Sequence, residues 1–208
     1  KKHKFGSAKN KEVIIIEYSS PNIAKPMGVH HLRSTIIGQA LVNIYKFLGH
    51  KVLAMSFPGD WGTQFGALIA AYKKWGDSKK VKQNPIQEML KLYVRFSQMA
   101  EHNEELQAEA RNEFNKMERG DRENRKLWQW FRKESFKDFN RIYKMLGVNI
   151  PLVFSESFFE PRLKEVIADA LAKRAARKNS DGSVIVEFKD QTPPLLLQKS
   201  DGATLYAT

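Results

Sequence analysis

Two periodicities divide the chain. Residues 13–18 (Val13-Ile14-Ile15-Ile16-Glu17-Tyr18) are a near-continuous branched apolar run, which predicts a strand buried on both faces of a parallel sheet. Residues 31–48 then carry Ile36, Ile37, Ala40, Leu41, Ile44, Tyr45 and Leu48 at helical spacing, and Gly49 stands where a left-handed residue closes a helix. A second strand is predicted over residues 51–57. After it come the polar turn Pro58-Gly59-Asp60-Trp61-Gly62 and a helix from Thr63 with Phe65, Leu68, Ile69 and Tyr72 on one face. Strand, helix, strand, turn and helix in this order predict a right-handed βαβ unit.

The character changes over residues 77–127, which are rich in Lys, Glu, Gln and Asn. Their apolar positions (Ile86, Met89, Leu90 and Tyr93, then Leu106, Ala110, Phe114 and Met117) are still spaced helically, and Gly120-Asp121 breaks the pattern. Helix resumes near Leu127 and runs to Leu146, with Trp128, Phe131, Phe139, Ile142, Tyr143 and Leu146 on one stripe, read as core, and Gly147 as its stop. Residues 148–154 predict a third sheet strand, residues 162–173 a short helix and residues 184–188 a strand. Residues 178–182 and 190–194 are read as turns. No internal repeat or low-complexity tract is visible.

Composition narrows the classes. At 208 residues the chain can bury a sizeable core, and 42% hydrophobic with 28% charged residues is ordinary for a globular protein. The net charge of +12 predicts attraction to a polyanion such as RNA, set against the plainer reading of a solvated basic face. The absence of cysteine excludes disulfides, thiolate zinc sites and cysteine nucleophiles. No apolar run approaches membrane-spanning length, so no membrane partner is expected and a cytoplasmic setting is. No metal-ligand spacing stands out, and His3, His50 and His102 read as surface residues.

The candidate chemistry lies in the turn after the first strand. Ser19-Ser20-Pro21-Asn22-Ile23-Ala24-Lys25-Pro26-Met27-Gly28-Val29-His30-His31 joins a buried strand to a helix N-terminus, where open α/β sheets bind phosphorylated ligands. Its lysine and adjacent histidines point to nucleotide chemistry; taken singly, Ser20 and Asn22 read as turn and cap residues, Glu17 as a solvated strand end and Lys25 as surface. Three ordered blocks add specificity. Ser20-Pro21-Asn22-Ile23-Ala24-Lys25 with Leu32-Arg33-Ser34-Thr35-Ile36-Ile37-Gly38, then residues 59–66 (Gly-Asp-Trp-Gly-Thr-Gln-Phe-Gly), then residues 199–208 (Lys-Ser-Asp-Gly-Ala-Thr-Leu-Tyr-Ala-Thr), together resemble the arginyl-tRNA synthetases of class I. The likeness extends over nearly the whole chain after residue 11.

That resemblance implies an α/β fold: a Rossmann-like parallel sheet, the incomplete N-terminal part of a class I synthetase catalytic domain, interrupted by helical and small α+β insertions. The expected organisation is a basic, disordered arm at 1–11 and the first part of the nucleotide-binding domain at 12–76. A helical insertion follows at 77–127, a return to the sheet at 128–155, a second insertion at 156–195, and re-entry into the catalytic domain at 196–208. Implied partners are ATP with Mg²⁺, L-arginine and arginine tRNA; the oligomeric state is left open. By resemblance Lys25, His30 and His31 are catalytic and contact ATP together with Gly28 and Ser34, while Glu17, Ser20, Asn22 and Tyr206 hold arginine. One departure is written into the signature: the family's His-x-Gly-His reads Gly28-Val29-His30-His31 here. The rival reading is a truncated or degenerate synthetase-like module that binds RNA or nucleotide without acylation.

Overall fold

The computed structural model describes residues 6, 11–190 and 192–204. Most of the basic arm, and Tyr206, lie outside the described residues. The chain divides into two compact units, residues 1–155 and 156–208.

The first unit begins with β1 (Val13–Glu17), α1 (Val29–Phe47), β2 (Lys51–Ser56) and α2 (Thr63–Trp75). Four helices follow, α3 (Ser78–Gln83), α4 (Pro85–Ala100), α5 (Glu104–Glu118) and α6 (Arg122–Leu146), and then the two-residue strand β3 (Leu152–Val153). The sheet runs β1-β2-β3 with both pairings parallel, Ile15 opposite Leu53 and Met55 opposite Leu152. The third strand is thus present but shorter than the predicted 148–154 stretch.

β1 departs from its expected environment. Val13 and Ile15 are 58% and 63% exposed, whereas Ile16 on the opposite face packs beside the small cluster of Tyr18, Val42, Ala54 and Val148. One face of β1 is therefore open among the described residues. The α1 stripe shows the same thing: Ile36, Ile37, Leu41 and Ile44 are exposed, and the helix buries Thr35, Gly38 and Val42 instead. Gly38 allows this approach, because a Cβ there would stand 2.2 Å from the Tyr18 ring.

The main core lies among the helices. Phe65, Leu68 and Ile69 of α2, Met89 and Phe96 of α4, Phe114 and Met117 of α5, and Trp128, Phe131 and Phe139 of α6 are buried in one cluster. Phe65, Leu68 and Ile69 of the predicted α2 stripe and Trp128, Phe131 and Phe139 of the α6 stripe are core, while Tyr72, Ile142, Tyr143 and Leu146 are half-buried. Gly66 sets the α2–α5 distance, since a Cβ would meet the Ala110 carbonyl at 2.1 Å. α3, α4 and α5 share this core with α2 and α6, and the expected boundary at 127/128 falls inside α6. That helix starts at Arg122 because Asp121 caps it, accepting from Asn124 N–H, and it ends at Gly147 in the left-handed conformation.

A buried polar network ties the helices. Glu113 accepts from Lys73 (2.7 Å), Lys116 (2.6 Å) and Asn124 (2.9 Å), with Asn124 fully buried. Burial pushes the Glu113 carboxyl up, but the hydrogen bonds from Lys116, Lys73 and Asn124 outweigh it and bring the pKa down to about 2.

The second unit carries α7 (Glu156–Phe159), a 3₁₀ turn (Glu160–Arg162) and α8 (Leu163–Ala172). An antiparallel sheet follows, with β4 (Arg177–Lys178), β5 (Val184–Val186) and β6 (Leu195–Gln198) in that order. Its core is Ile167, Val184 and Leu197. The predicted strand at 184–188 stops two residues early, and the expected boundary at 195/196 falls inside β6.

Candidate active site

The connection from β1 to α1 is held in a conformation that its sequence does not favour. Ser19, Ser20 and Ala24 have φ of 71°, 44° and 61°, left-handed values uncommon for residues with a side chain. Such backbone persists where its surroundings over-determine it. Here the constraints come from four elements. Ile23 N–H donates to the Gly59 carbonyl at 3.0 Å, joining this turn to the one after β2. Ala24 N–H donates to Ser135 Oγ on α6 at 2.8 Å. Ser19 Oγ lies 2.7 Å from Tyr143 Oη, also on α6, and 2.8 Å from Thr35 Oγ1 on α1. Ser20 N–H donates to Ser56 Oγ of β2 at 3.2 Å.

Ser20 Oγ is a junction. It donates to the Glu17 carboxylate and accepts from Phe57 N–H at 2.9 Å, so the strand-end carboxylate is oriented by a hydroxyl that is itself fixed. Tyr143 is pushed above the usual phenol range by burial, offset by its hydrogen bonds with Ser19 and Ser56, and stays a neutral hydroxyl.

At the start of α1 the two imidazoles of His30 and His31 meet at a tilt of 43°, with centroids 3.8 Å apart. Gly28 N–H donates to His31 Nδ1 at 3.1 Å, so the neutral ring carries its proton on Nε2 and keeps that nitrogen as a donor. Burial, and then electrostatic repulsion between the two adjoining rings, lower the His31 pKa and favour its neutral form. Ser34 Oγ donates to the His31 carbonyl at 3.0 Å, a backbone role for an expected ATP contact. Lys25 Nζ stands 4.9 Å from the centroid of Tyr93 on α4, and both line a small cleft with Asn22, Gln64 and Phe65. Pro26 and Met27 border a groove of about 550 Å³ that also receives Lys82, Lys137 and Arg141.

The turn after β2 is braced as firmly. Asp60 is fully buried, with Arg132 Nε on its carboxylate at 2.7 Å and Trp128 Nε1 on its carbonyl at 2.7 Å. Arg132 also donates to Ser155 Oγ at 3.2 Å. Trp61 meets Trp128 edge to face at 5.4 Å.

Glu17 is thus joined to Ser20, Asn22 shares a cleft with Lys25, and Gly28, His30 and His31 form one cluster, while Tyr206 lies outside the described residues. Sequence reasoning missed Tyr143, Ser135, Thr35 and Tyr93. Tyr143 had been counted as core by its stripe, and its hydroxyl was the only hint of more. His50, read as surface, accepts from Glu12 N–H at 3.3 Å.

The profile of the family described as tRNA synthetases class I (R), catalytic domain, matches residues 1–208. The chain belongs to that family. Among curated relatives of this synthetase family, an arginine–tRNA ligase of Clostridioides difficile is 49% identical over 205 residues, covering 98% of this chain and 36% of the relative. An arginine–tRNA ligase 2 of Bacillus anthracis is 46% identical over 208 residues, covering 100% of this chain and 36% of the relative. The crystal structure of the Plasmodium falciparum arginyl-tRNA synthetase superimposes with a TM-score of 0.72 at 29% identity, covering 97% of this chain and 34% of that one. The Thermus thermophilus arginyl-tRNA synthetase shares the fold, with a TM-score of 0.67 at 23% identity over 96% of this chain and 34% of that one. This synthetase chain therefore spans about a third of the length of the relatives it matches.

Proposed function

We propose that this chain supplies part of the active site of an ATP-dependent arginine–tRNA ligase acting in the cytoplasm. The observation that carries the reading is the β1–α1 connection, in which one braced strand–turn–helix passage carries a carboxylate (Glu17), an ammonium (Lys25) and two adjoining imidazoles (His30, His31). In the first step a carboxylate oxygen of L-arginine attacks the α-phosphorus of ATP in line. The new P–O bond gives arginyl-adenylate as the bond to the β-phosphate oxygen breaks and pyrophosphate leaves. In the second, a ribose hydroxyl at the 3′ end of arginine tRNA attacks the carbonyl carbon, and AMP leaves.

The residues contribute position and charge rather than a covalent intermediate. His31 offers its Nε2–H and Lys25 its ammonium to the phosphates, Lys25 leaving Tyr93 to do so, while Gly28, His30 and Ser34 complete the ATP contacts. Glu17, oriented by Ser20, pairs with the guanidinium, whose planar fork suits a carboxylate. Asn22 contacts the amino acid, and Tyr206 closes the guanidinium side. Mg²⁺ would enter with the ATP phosphates as part of the substrate. Lys82 in the groove beside Met27 suits the tRNA backbone, whereas Lys137 and Arg141 there are paired with Glu134 and Asp138.

Titration calorimetry of the whole protein with a non-hydrolysable arginyl-adenylate analogue, against the lysyl analogue, tests this reading. Selective binding of the arginyl compound is expected, weakened by about tenfold or more in Glu17→Gln. Equal affinity for the two analogues would refute the arginine assignment.

A further inference from the structure

Gly28 is a glycine without a backbone reason. Its φ of −86° and ψ of 173° are open to any residue, so no left-handed turn demands it. Nor does the surrounding fold crowd it. A Cβ built on Gly28 meets only the ring of His30, with Cε1 at 2.9 Å, Nδ1 at 3.0 Å and Nε2 at 3.9 Å. The His30 imidazole is folded back over residue 28 and fills the space into which a side chain at 28 would project. It lies against His31, with ring centroids 3.8 Å apart and planes tilted by 43°, and His31 Nδ1 is itself fixed by the Gly28 N–H.

We propose that Gly28 and His30 act as one unit, in which position 30 delivers the imidazole that a side chain at position 28 would otherwise place beside His31, so that His30 and His31 form a paired donor edge toward the nucleotide phosphates. This rests on the ATP reading above and adds to it a specific dependence. The two positions share one volume, so a side chain at 28 turns the exposed His30 ring out of the place it occupies. The exchange within the signature is a relocation of the ring and not its loss. His30 is exposed and has no role in the core, so its removal takes away a donor without opening a cavity.

The test is a mutant cycle in the whole protein, read by ATP–pyrophosphate exchange with thermal melting as a control. His30→Gly is expected to lower kcat by about 100-fold, the cost of one oxyanion-type donor, with melting lowered only by the small cost of a glycine in the first turn of α1. Gly28→Ala forces the His30 ring aside and lowers kcat in the parent, yet has no further effect in the His30→Gly background. That non-additivity is the signature of a shared volume. Gly28→His combined with His30→Gly is expected to recover activity to within about tenfold of the parent, whereas Gly28→His alone does not. Parent-like exchange in His30→Gly would overturn the proposal, and so would additive effects of Gly28→Ala and His30→Gly. Failure of the ATP reading looks different: His31→Ala and Lys25→Ala would then leave exchange unchanged as well.

Discussion

At the scale of single residues, the site depends on hydroxyl groups that hold backbone in place. Tyr143 Oη and Thr35 Oγ1 both reach Ser19 Oγ, and Ser19 is one of three left-handed residues in the turn. Tyr143→Phe keeps the ring and deletes this contact. We expect it to cost about 1 kcal/mol in denaturant unfolding. In pyrophosphate exchange it should lower kcat more than it raises the KM for ATP, because Ser19 adjoins Ser20 and Glu17 on the proposed arginine side and is not itself a proposed nucleotide contact. An unchanged kcat would assign Tyr143 to packing alone. Lys25 poses a related question. Its ammonium over Tyr93 is a cation–π contact of about 0.5–2 kcal/mol, so Tyr93→Leu should change the KM for ATP by up to about tenfold while Tyr93→Phe does not.

Elements are joined here by polar contacts as much as by apolar ones. α2, α5 and α6 meet at Glu113, whose carboxylate collects Lys73, Lys116 and Asn124. A carboxyl with a native pKa of about 2, against an ordinary 4.5, favours the folded state fully above about pH 4.5. That contribution disappears as pH falls toward 2, because the unfolded chain takes up the proton first. Its size is about 3 kcal/mol. Urea melts of the parent should therefore steepen in their loss of stability between about pH 4.5 and 2, and Glu113→Gln should flatten that limb while lowering stability at pH 7. The helix stripes explain why α2, α4, α5 and α6 form one body: each brings large side chains to the same cluster, and Gly66 lets α2 and α5 close upon it.

For the whole molecule, the charge of +12 makes a salt-dependent affinity the natural expectation. Binding of arginine tRNA by the whole protein should fall by about tenfold or more between about 50 and 200 mM salt, and a flat response would reduce the charge to solvated surface. How much of this was legible in the sequence depends on the range of the interaction. Local pattern determined the parallel β1–β2 pairing, the apolar faces of α2, α4 and α5 and half of the α6 stripe, because burial of one helix face writes a period of 3.6 into the residues that make it, whereas the apolar stripe of α1 is exposed. The family motifs of the β1–α1 and β2–α2 turns were likewise contiguous in the chain. Only the tertiary structure decided what holds those turns. Ser19 meets Tyr143 across 124 residues and Ala24 meets Ser135 across 111, and such pairings leave no periodic trace. It also decided that Val13 and Ile15 stand open and that Tyr93 comes to Lys25, since an apolar run records a tendency to be buried but not which neighbour arrives. The place of His30 belongs there too. Its letter was plain in the sequence, but only the folded turn set its ring into the space beside Gly28.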